Sequence, residues 1–355
     1  MHYLVHVPDV VIVTALDLLS QQNDIIESVE IDRPGKLFQS VNESLFNDPN
    51  YRQQYGLNNI GQNVRNNGYG LPDADVDGYE ALRLSRGSNS VTIAILDTEV
   101  DEHIDLQGRI LEGWDSFSDT IEWSDECHLV GHGTGVAGVA AAAENNRVGI
   151  VGVNWKVKLL PIRIAGLCEI TQLSAGRGII MAADREADIL QMSFGWYEPV
   201  VEGFLRDASL YAYYSGALLV ASSGNDPNQN VAIPAAYPEV MAISGTDNLD
   251  QLADFSTFGP EISLAAPGVD IVTLTSTQGD PQRRTTVFRS GTSFSSPYVS
   301  GAAAHIMGLR PELSADQVRS ILEKSSDDLG SVGFDNQYGN GRLNIFKALL
   351  WVLNP

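Results

Sequence analysis

The chain has 355 residues, of which 43% are hydrophobic and 19% are charged, a mixture typical of a globular protein with a sizeable core. It carries 45 acidic against 22 basic residues, and the resulting formal net charge of −23 argues against a nucleic-acid partner, because phosphates would be repelled. Its apolar runs, such as VTIAIL and ALLVA, are short and interrupted, so no membrane span is predicted.

The first part of the chain is predicted to be a small unit followed by irregular structure. Within residues 3–33, YLVHVPDVVIVTA is rich in β-formers, ALDLLSQQ has helical spacing, and IIESVEI alternates like a strand. The opening stretch has Pro8 and Asp9 in its middle and no basic start, so no secretory signal is visible. We therefore expect the chain to begin inside a longer precursor.

Residues 56–78 are rich in Gly, Asn and Asp and predict an irregular surface stretch. Inside it, Asp73, Asp75 and Asp77 resemble half of a calcium-binding EF-hand loop. The twelfth position of such a loop, where a Glu is needed, is Leu84, so a solvated loop is predicted.

From residue 91 onward, strand patterns alternate with helix patterns. The predicted strands are 91–97, 157–164, 188–193 and 217–222, and the predicted helices are 133–143, near 172–183 and near 203–215. This order indicates an α/β fold with a mostly parallel central sheet and helices on both faces. In such sheets functional groups gather beyond the carboxyl ends of the strands, where Asp97, Ser193 and Ser222–Asn225 fall.

The stretch VGHGTGVAGVAA contains a glycine pattern and a histidine. Gly133, Gly135 and Gly138 fit the dinucleotide-binding pattern G-x-G-x-x-G. That pattern needs a strand directly before it and a carboxylate after the next strand, yet SDECHL precedes it and the next strand ends PIRIAG. The favoured interpretation is that His132 is a catalytic base, with a nucleotide-dependent enzyme as the alternative. Nucleotide-induced thermal stabilisation would reveal that alternative.

The histidine has plausible partners elsewhere in the sequence. Asp97 ends a buried apolar strand, where a carboxylate needs hydrogen-bond donors such as an imidazole N–H. Ser293 begins a helical segment of small residues, next to backbone N–H donors. Asn225 places an amide at the same predicted sheet edge. Taken singly, each residue is also typical of a loop cap, a tight turn or a helix N-cap.

Four segments, AILDTEVDEHIDL, GHGTGVAG, SSGND and GTSFSSP, together resemble the subtilisin-like serine proteases, the subtilase family. The resemblance implies a subtilisin-like three-layer fold over residues 46–355 and a serine endopeptidase that works through an acyl-enzyme. Its roles for the matching residues are Ser293 as nucleophile, His132 as base, Asp97 as the orienting carboxylate and Asn225 as oxyanion donor. The alternative is a catalytically inactive binding module, which would not react with a serine-directed fluoride or phosphonate.

The resemblance also implies binding sites for substrate and for calcium. Protein and peptide substrates would lie extended along Ser193, Phe194 and Gly195, with Gly224 on the other side. The alternative for Phe194 is plain packing. Ca²⁺ is the implied ion. Its implied ligands are the side chains of Asp48, Asp105 and Asn146 and the carbonyls of Ala143, Val148 and Ile150. Asn-rich loops are also ordinary turns.

Two further expectations concern the cysteines and the N-terminal segment. Two cysteines can form one disulfide or remain buried thiols. The resemblance to secreted subtilases favours a Cys127–Cys168 disulfide and an extracellular or periplasmic, monomeric enzyme. Residues 1–45 resemble the second half of a family propeptide, which implies a zymogen that Ser293 cuts between Leu37 and Asn47. An unprocessed extension is the alternative.

Overall fold

The computed structural model describes residues 46–65, 68–120, 131–166, 169–200, 203–278, 280 and 282–354. The segment 1–45, which is predicted to be propeptide-like, lies outside the described residues. Cys127 and Cys168 lie outside them as well. The propeptide and the disulfide therefore remain predictions.

A parallel sheet forms the centre of the described region. The strands among the described residues, in order, are β1 Thr92–Asp97, β2 Trp114–Asp115, β3 Lys158–Arg163, β4 Ala165–Gly166, β5 Glu169–Ile170, β6 Ile189–Met192, β7 Leu218–Ser222, β8 Val240–Thr246, β9 Ile262–Pro267, β10 Ile271–Leu274 and β11 Thr286–Arg289. Seven of them form one sheet in the order β2-β3-β1-β6-β7-β8-β9, with every neighbouring pair parallel. The pairs β4–β5 and β10–β11 are antiparallel two-stranded sheets.

The helices predicted at 133–143, near 172–183 and near 203–215 are present, and further helices lie elsewhere in the described residues. The described helices are α1 Gly78–Ala81, α2 His132–Ala141, α3 Gln172–Asp184, α4 Phe204–Tyr214, α5 Thr292–Leu309, α6 Ala315–Lys324 and α7 Ile345–Leu353. Capping boxes at Thr171 and Ser314 satisfy free N–H groups and define where α3 and α6 begin. Across the described residues, no helix has both the length and the apolar character needed to cross a membrane.

Strand β6 shows how one strand serves both layers of helices. Side chains alternate along a strand, so Leu190 and Met192 point to one face and Gln191 to the other. The two apolar side chains belong to the core cluster that includes residues of α3 and α4. Gln191 instead hydrogen-bonds Ser296 and Ser300 of α5, at 2.6 and 2.5 Å. The predicted three-layer arrangement, with helices on both faces, is confirmed.

The parallel sheet collects polar residues at one edge. Asp97 is the last residue of β1, Ser193 directly follows β6, and Ser223 to Asn225 follow β7. Because parallel strands end at the same side, segments far apart in sequence meet there. The candidate site lies at this edge.

The prediction of a solvated loop at Asp73–Asp77 is wrong for Asp75, although Asp73 is exposed. Asp75 is buried, and its carboxylate accepts the backbone N–H groups of Asn59 and Asp77, both at 2.6 Å. These bonds replace water for a charge that would otherwise be costly to bury. Burial still raises the pKa of Asp75, to about 7. Leu57, Val64 and Val76 are also buried, so the stretch 56–78 contributes to the core.

Candidate active site

Asp97 and His132 form a hydrogen-bonded pair. His132 Nδ1 lies 2.7 Å from Asp97 Oδ1, and the same oxygen accepts the backbone N–H of Thr98 at 2.7 Å. The carboxylate side chain is 4% exposed and the imidazole 20%. An Nδ1–H···carboxylate bond leaves the other ring nitrogen, Nε2, as the acceptor of a proton.

The glycines around His132 allow close packing of α2. The residue before the helix, Gly131, has φ +77°, a left-handed conformation that favours glycine. A Cβ on Gly133 would lie 2.2 Å from the carbonyl oxygen of Glu99, and one on Gly138 would lie 2.7 Å from Leu274 Cγ in β10. The glycine run therefore brings α2 against the loop after β1 and against β10, which favours a packing role for these glycines over a phosphate-binding turn.

The environment of His132 acts on its pKa in opposite directions. Burial lowers the pKa of His132, because the charged imidazolium loses solvent. The Asp97 carboxylate raises it, both through its charge and through the hydrogen bond, and the net pKa lies above the ordinary value of 6.5. This imidazole is therefore a stronger base than a free histidine.

Ser293 is the second residue of α5 and lies against the end of β6. Its hydroxyl donates to the carbonyl of Ser193 at 3.4 Å, and the hydroxyl of Ser193 donates to the carbonyl of Ser293 at 2.9 Å. The next residue, Phe294, packs its ring on the imidazole of His132, with centroids 5.5 Å apart. Within the described residues, no hydrogen bond joins the side chain of Ser293 to that of His132. Such bonds commonly form only in the complex with substrate.

Asn225 is oriented by the first residue of α5. Its Oδ1 accepts the backbone N–H of Thr292 at 2.8 Å and the hydroxyl of Thr292 at 3.0 Å. A backbone N–H can only donate, so the amide oxygen must face the helix and the amide NH₂ must point away from it. The NH₂ group lies next to Gly291, the residue before Thr292 and Ser293, and it has no acceptor among the described residues.

Tyr197 and Thr257 hold the loop that carries Asn225, and the sequence did not indicate either residue. The backbone N–H of Asn225 donates to the hydroxyl of Tyr197 at 2.6 Å, and the hydroxyl of Thr257 donates to the carbonyl of Asp226 at 2.8 Å. Tyr197 lies only two residues beyond the predicted substrate segment. This closeness in sequence could have pointed to Tyr197, but its contact with the backbone of Asn225 becomes visible only in the tertiary structure.

The predicted substrate segment leaves the sheet edge directly after β6. Trp196 forms both backbone hydrogen bonds of an antiparallel bridge with Ile233, at 3.0 Å each. Within the described residues, no backbone hydrogen bond involves Phe194 or Gly195. Phe194 also packs edge-on against Trp196, with ring centroids 5.8 Å apart, as the packing alternative expects. The segment therefore combines an anchored end with an open stretch of backbone.

The model of the Subtilase family matches residues 88–341 of this chain, which is more than half of its length. The chain belongs to the subtilase family. The predicted family is confirmed.

Individual relatives agree with this membership. This subtilase is 34% identical over 272 residues to Thermitase from Thermoactinomyces vulgaris, covering 76% of this chain and 92% of that protein. It is 34% identical to the Thermophilic serine proteinase of Bacillus sp. (strain AK1), covering 76% of this chain and 64% of that protein. It is 33% identical to the Cell wall-associated protease of Bacillus subtilis (strain 168), covering 86% of this chain and 36% of that protein. The chain therefore spans less than two thirds of the last two relatives.

A solved structure supports the fold. The protease from Pseudoalteromonas arctica PAMC 21717 superposes with a TM-score of 0.75 at 25% identity, covering 87% of this chain and all of that one. The predicted subtilisin-like fold is confirmed.

The residues predicted to bind calcium lie together in this subtilase. The loop after α2 folds over two buried carboxylates: Asp48 accepts the N–H of Asn145 at 2.8 Å, and Asp105 accepts the N–H of Ile150 at 2.9 Å. The amide nitrogen of Asn146 donates to Asp105 at 2.5 Å, so this amide would have to turn over before its oxygen could bind a cation.

Burial is the main cause that raises the pKa of both carboxyls, that of Asp105 to about 7. The charge of Asp48 is a further cause at Asp105. Among the described residues, no three His, Cys, Asp or Glu side chains converge as a metal-binding group. Any cation would therefore need backbone and amide oxygens as well. The residues present fit such a cation, because two buried carboxylates would be neutralised by one divalent ion.

Proposed function

We propose that this subtilase hydrolyses internal peptide bonds of proteins through Asp97, His132 and Ser293. Ser293 Oγ attacks the scissile carbonyl carbon while His132 Nε2 takes its proton. The C–N bond then breaks, His132 gives that proton to the leaving amine, and an ester to Ser293 remains. A water molecule, deprotonated by His132, cleaves this ester and restores the enzyme.

The 2.7 Å contact between Asp97 and His132 is the observation that carries this proposal. It orients Nε2 as the proton acceptor, and it raises the pKa of His132, whose ring packs on Phe294, the residue after Ser293. The carboxylate stabilises the imidazolium that forms as the proton is taken. A catalytic role for the pair accounts for a buried charge at the end of β1.

We further propose that Asn225 and the backbone N–H of Ser293 bind the oxyanion of the tetrahedral intermediate. The N–H groups in the first turn of a helix lack partners within the helix and point outward. The amide NH₂ of Asn225, turned away from Thr292, is the second donor. Both donors are in place before the negative charge develops, so little reorganisation is needed.

Asn225→Ala tests the oxyanion proposal. We expect kcat to fall about 100- to 1,000-fold with little change in KM, the loss known for the equivalent donor of subtilisin, because the donor acts mainly in the transition state. The measurement is steady-state kinetics on a chromogenic peptide. Asn228→Ala in the same exposed loop is the control and should keep the wild-type kcat. A large rise in KM at constant kcat for Asn225→Ala would contradict the proposed role.

For the substrate, we propose that an extended peptide pairs with the backbone of Ser193, Phe194 and Gly195, opposite Gly224. The unpaired backbone of Phe194 and Gly195 supports this mode, because strand addition needs free N–H and C=O groups. We also propose that the enzyme is secreted, acts as a monomer and carries the Cys127–Cys168 disulfide. Residues 1–45 would be removed by cleavage between Leu37 and Asn47.

We propose that Ca²⁺ binds at Asp48 and Asp105, completed by Asn146 and the carbonyls of Ala143, Val148 and Ile150. When bound, the ion would neutralise the buried carboxylates and hold the loop of residues 143–150 in place.

A calcium chelator is therefore expected to lower the melting temperature by about 10 °C, as a ligand at about 1,000 times its Kd contributes about 4 kcal/mol. Differential scanning calorimetry with and without chelator measures this. Asp105→Asn should lose the calcium-dependent increment, whereas Asp184→Asn, at an exposed carboxylate, should retain it. An equal chelator effect in wild type and Asp105→Asn would refute the site.

A further inference from the structure

A basic hairpin leads into the candidate nucleophile. The sequence RRTTVFR places Arg283, Arg284 and Arg289 within one short stretch of a chain whose net charge is −23. Strands β10 and β11 form this hairpin, and β11 ends at Arg289, four residues before Ser293. On another part of the hairpin, Arg65 stacks over the ring of Phe288 at 5.2 Å. Arg283 is paired with Glu102, whereas Arg289 lies at the end of the strand that leads to Ser293.

The register of the hairpin places Arg289 on the side of α2. Thr273 faces that helix, because its hydroxyl donates to the carbonyl of Gly135 at 2.6 Å. Ile271 shares the face of Thr273, since side chains two residues apart lie on one side of a strand. Arg289 is the cross-strand partner of Ile271 and therefore lies on that face too. This is the side where α2 begins with His132.

The guanidinium of Arg289 acts on the imidazole of His132. Burial lowers the pKa of His132, and the guanidinium of Arg289 lowers it further. A cation near a helix N-terminus is also repelled by the helix dipole.

Arg289 differs from the buried Arg163 and the partly buried Arg206 in its lack of a carboxylate partner among the described residues. Arg163 pairs with Asp115 at 2.6 Å, and Arg206 pairs with Glu239 at 2.7 Å. Arg289 is partly buried, yet it has no ion pair or side-chain hydrogen bond with any described residue. Within the described part of the chain, this guanidinium is therefore free to pair with a bound anion.

We propose that Arg289 binds a carboxylate side chain of the substrate on the leaving-group side of the scissile bond. This inference rests on the proposed function, in which His132 passes its proton to the leaving amine. Groups beside His132 therefore contact the part of the substrate that follows the scissile bond. The part that precedes this bond lies along Ser193 to Gly195. The enzyme therefore favours Asp or Glu at the first or second residue after the cleaved bond.

Internally quenched peptides that differ only at these two residues test the proposal. Each peptide carries Glu, Gln or Lys there, and kcat/KM is measured at low salt and at a pH above the His132 titration. We expect the wild type to prefer Glu over Lys about tenfold, since a partly exposed charge pair has a modest energy and Lys is repelled. Arg289→Gln should bring the ratio to about one, and Arg289→Glu should invert it. High salt should reduce the wild-type preference.

Arg284→Gln is the matched control on the same hairpin, and it should keep the wild-type ratio because Arg284 is exposed and outside the site. Because the ratio of kcat/KM for the Glu peptide to that for the Lys peptide is taken within each variant, any general change in activity cancels. Arg289→Gln should also shift the acid limb of the pH profile upward, because the charge that opposes protonation of His132 is gone. A merely structural role would not produce that shift.

A peptide anilide separates this inference from the proposed function, because it has no residue after the cleaved bond. If the wild type hydrolyses neither the anilide nor the peptides, the proposed function fails. If it hydrolyses them and Arg289→Gln leaves the Glu to Lys ratio unchanged, the assignment of Arg289 is overturned.

Discussion

Ser293→Ala is expected to lower kcat by about 10⁶-fold, the loss known for the nucleophile of subtilisin. Without the hydroxyl no acyl-enzyme can form. His132, oriented by Asp97, then has no nucleophile from which to take a proton. Oxyanion stabilisation and binding by the remaining groups would leave a residual rate above that in water. Casein hydrolysis and a chromogenic peptide measure the loss, and a melting curve shows that the variant folds.

Ser295→Ala is the matched control for this change. Ser295 lies on the same helix, and its buried hydroxyl has no hydrogen-bond partner among the described residues. Removing it should leave kcat unchanged. Comparable activity of Ser293→Ala and wild type would end the proposed mechanism.

The Ser293→Ala protein also tests processing of the N-terminal segment. If Ser293 makes the cut between Leu37 and Asn47, the wild type loses its first residues on purification and the variant keeps them. Mass spectrometry of both proteins measures this difference. Identical N-termini would show that the segment is not removed by this enzyme.

Asp97→Asn is expected to lower kcat about 10⁴-fold with the fold intact, the effect known for the equivalent change in a serine protease. The substitution replaces the carboxylate that accepts the Nδ1 proton by an amide. The imidazole is then no longer held in the tautomer with a free Nε2, and the negative charge that stabilises the imidazolium is gone. The measurement is kcat at the plateau of the pH profile. Asp188→Asn changes a carboxylate that accepts the backbone N–H of Thr92 at the opposite end of β1, and it should retain activity.

The pH profile gives a second measurement on the same pair. Neutral His132 is the active form, and its pKa is raised, so kcat/KM of the wild type should climb with pH through a midpoint above 6.5. In Asp97→Asn the two effects that raise this pKa are lost and burial remains, so the midpoint should move to lower pH. NMR titration of the imidazole provides the same information without activity. An unchanged midpoint in Asp97→Asn would show that the carboxylate does not control the base.

Much of the fold was predictable because its signals are local. The strand β1 is a continuous apolar run, and the helix α3 has apolar spacing with a polar cap before it, so periodicity identifies both. The failure at Asp75 has an equally physical cause. Composition marks an Asp-rich stretch as solvated, but whether a carboxylate is buried depends on the N–H groups that distant folding places around it.

Local sequence identified the strands β1, β3, β6 and β7, the helices α2 to α5 and the parallel arrangement of the sheet. The resemblance to a known family identified the candidate groups Asp97, His132, Ser293 and Asn225. Only the tertiary structure decided which atoms of these groups face one another: the bond from His132 to Asp97, the turn of the Asn225 amide and the hydroxyl of Tyr197 beneath its loop. The face of the hairpin on which Arg289 lies was decided there too. The reason is that hydrophobic spacing reports on a single helix or strand. Hydrogen-bond partners, in contrast, come from segments that are often about a hundred residues apart in sequence, and strand order and register decide whether these segments meet.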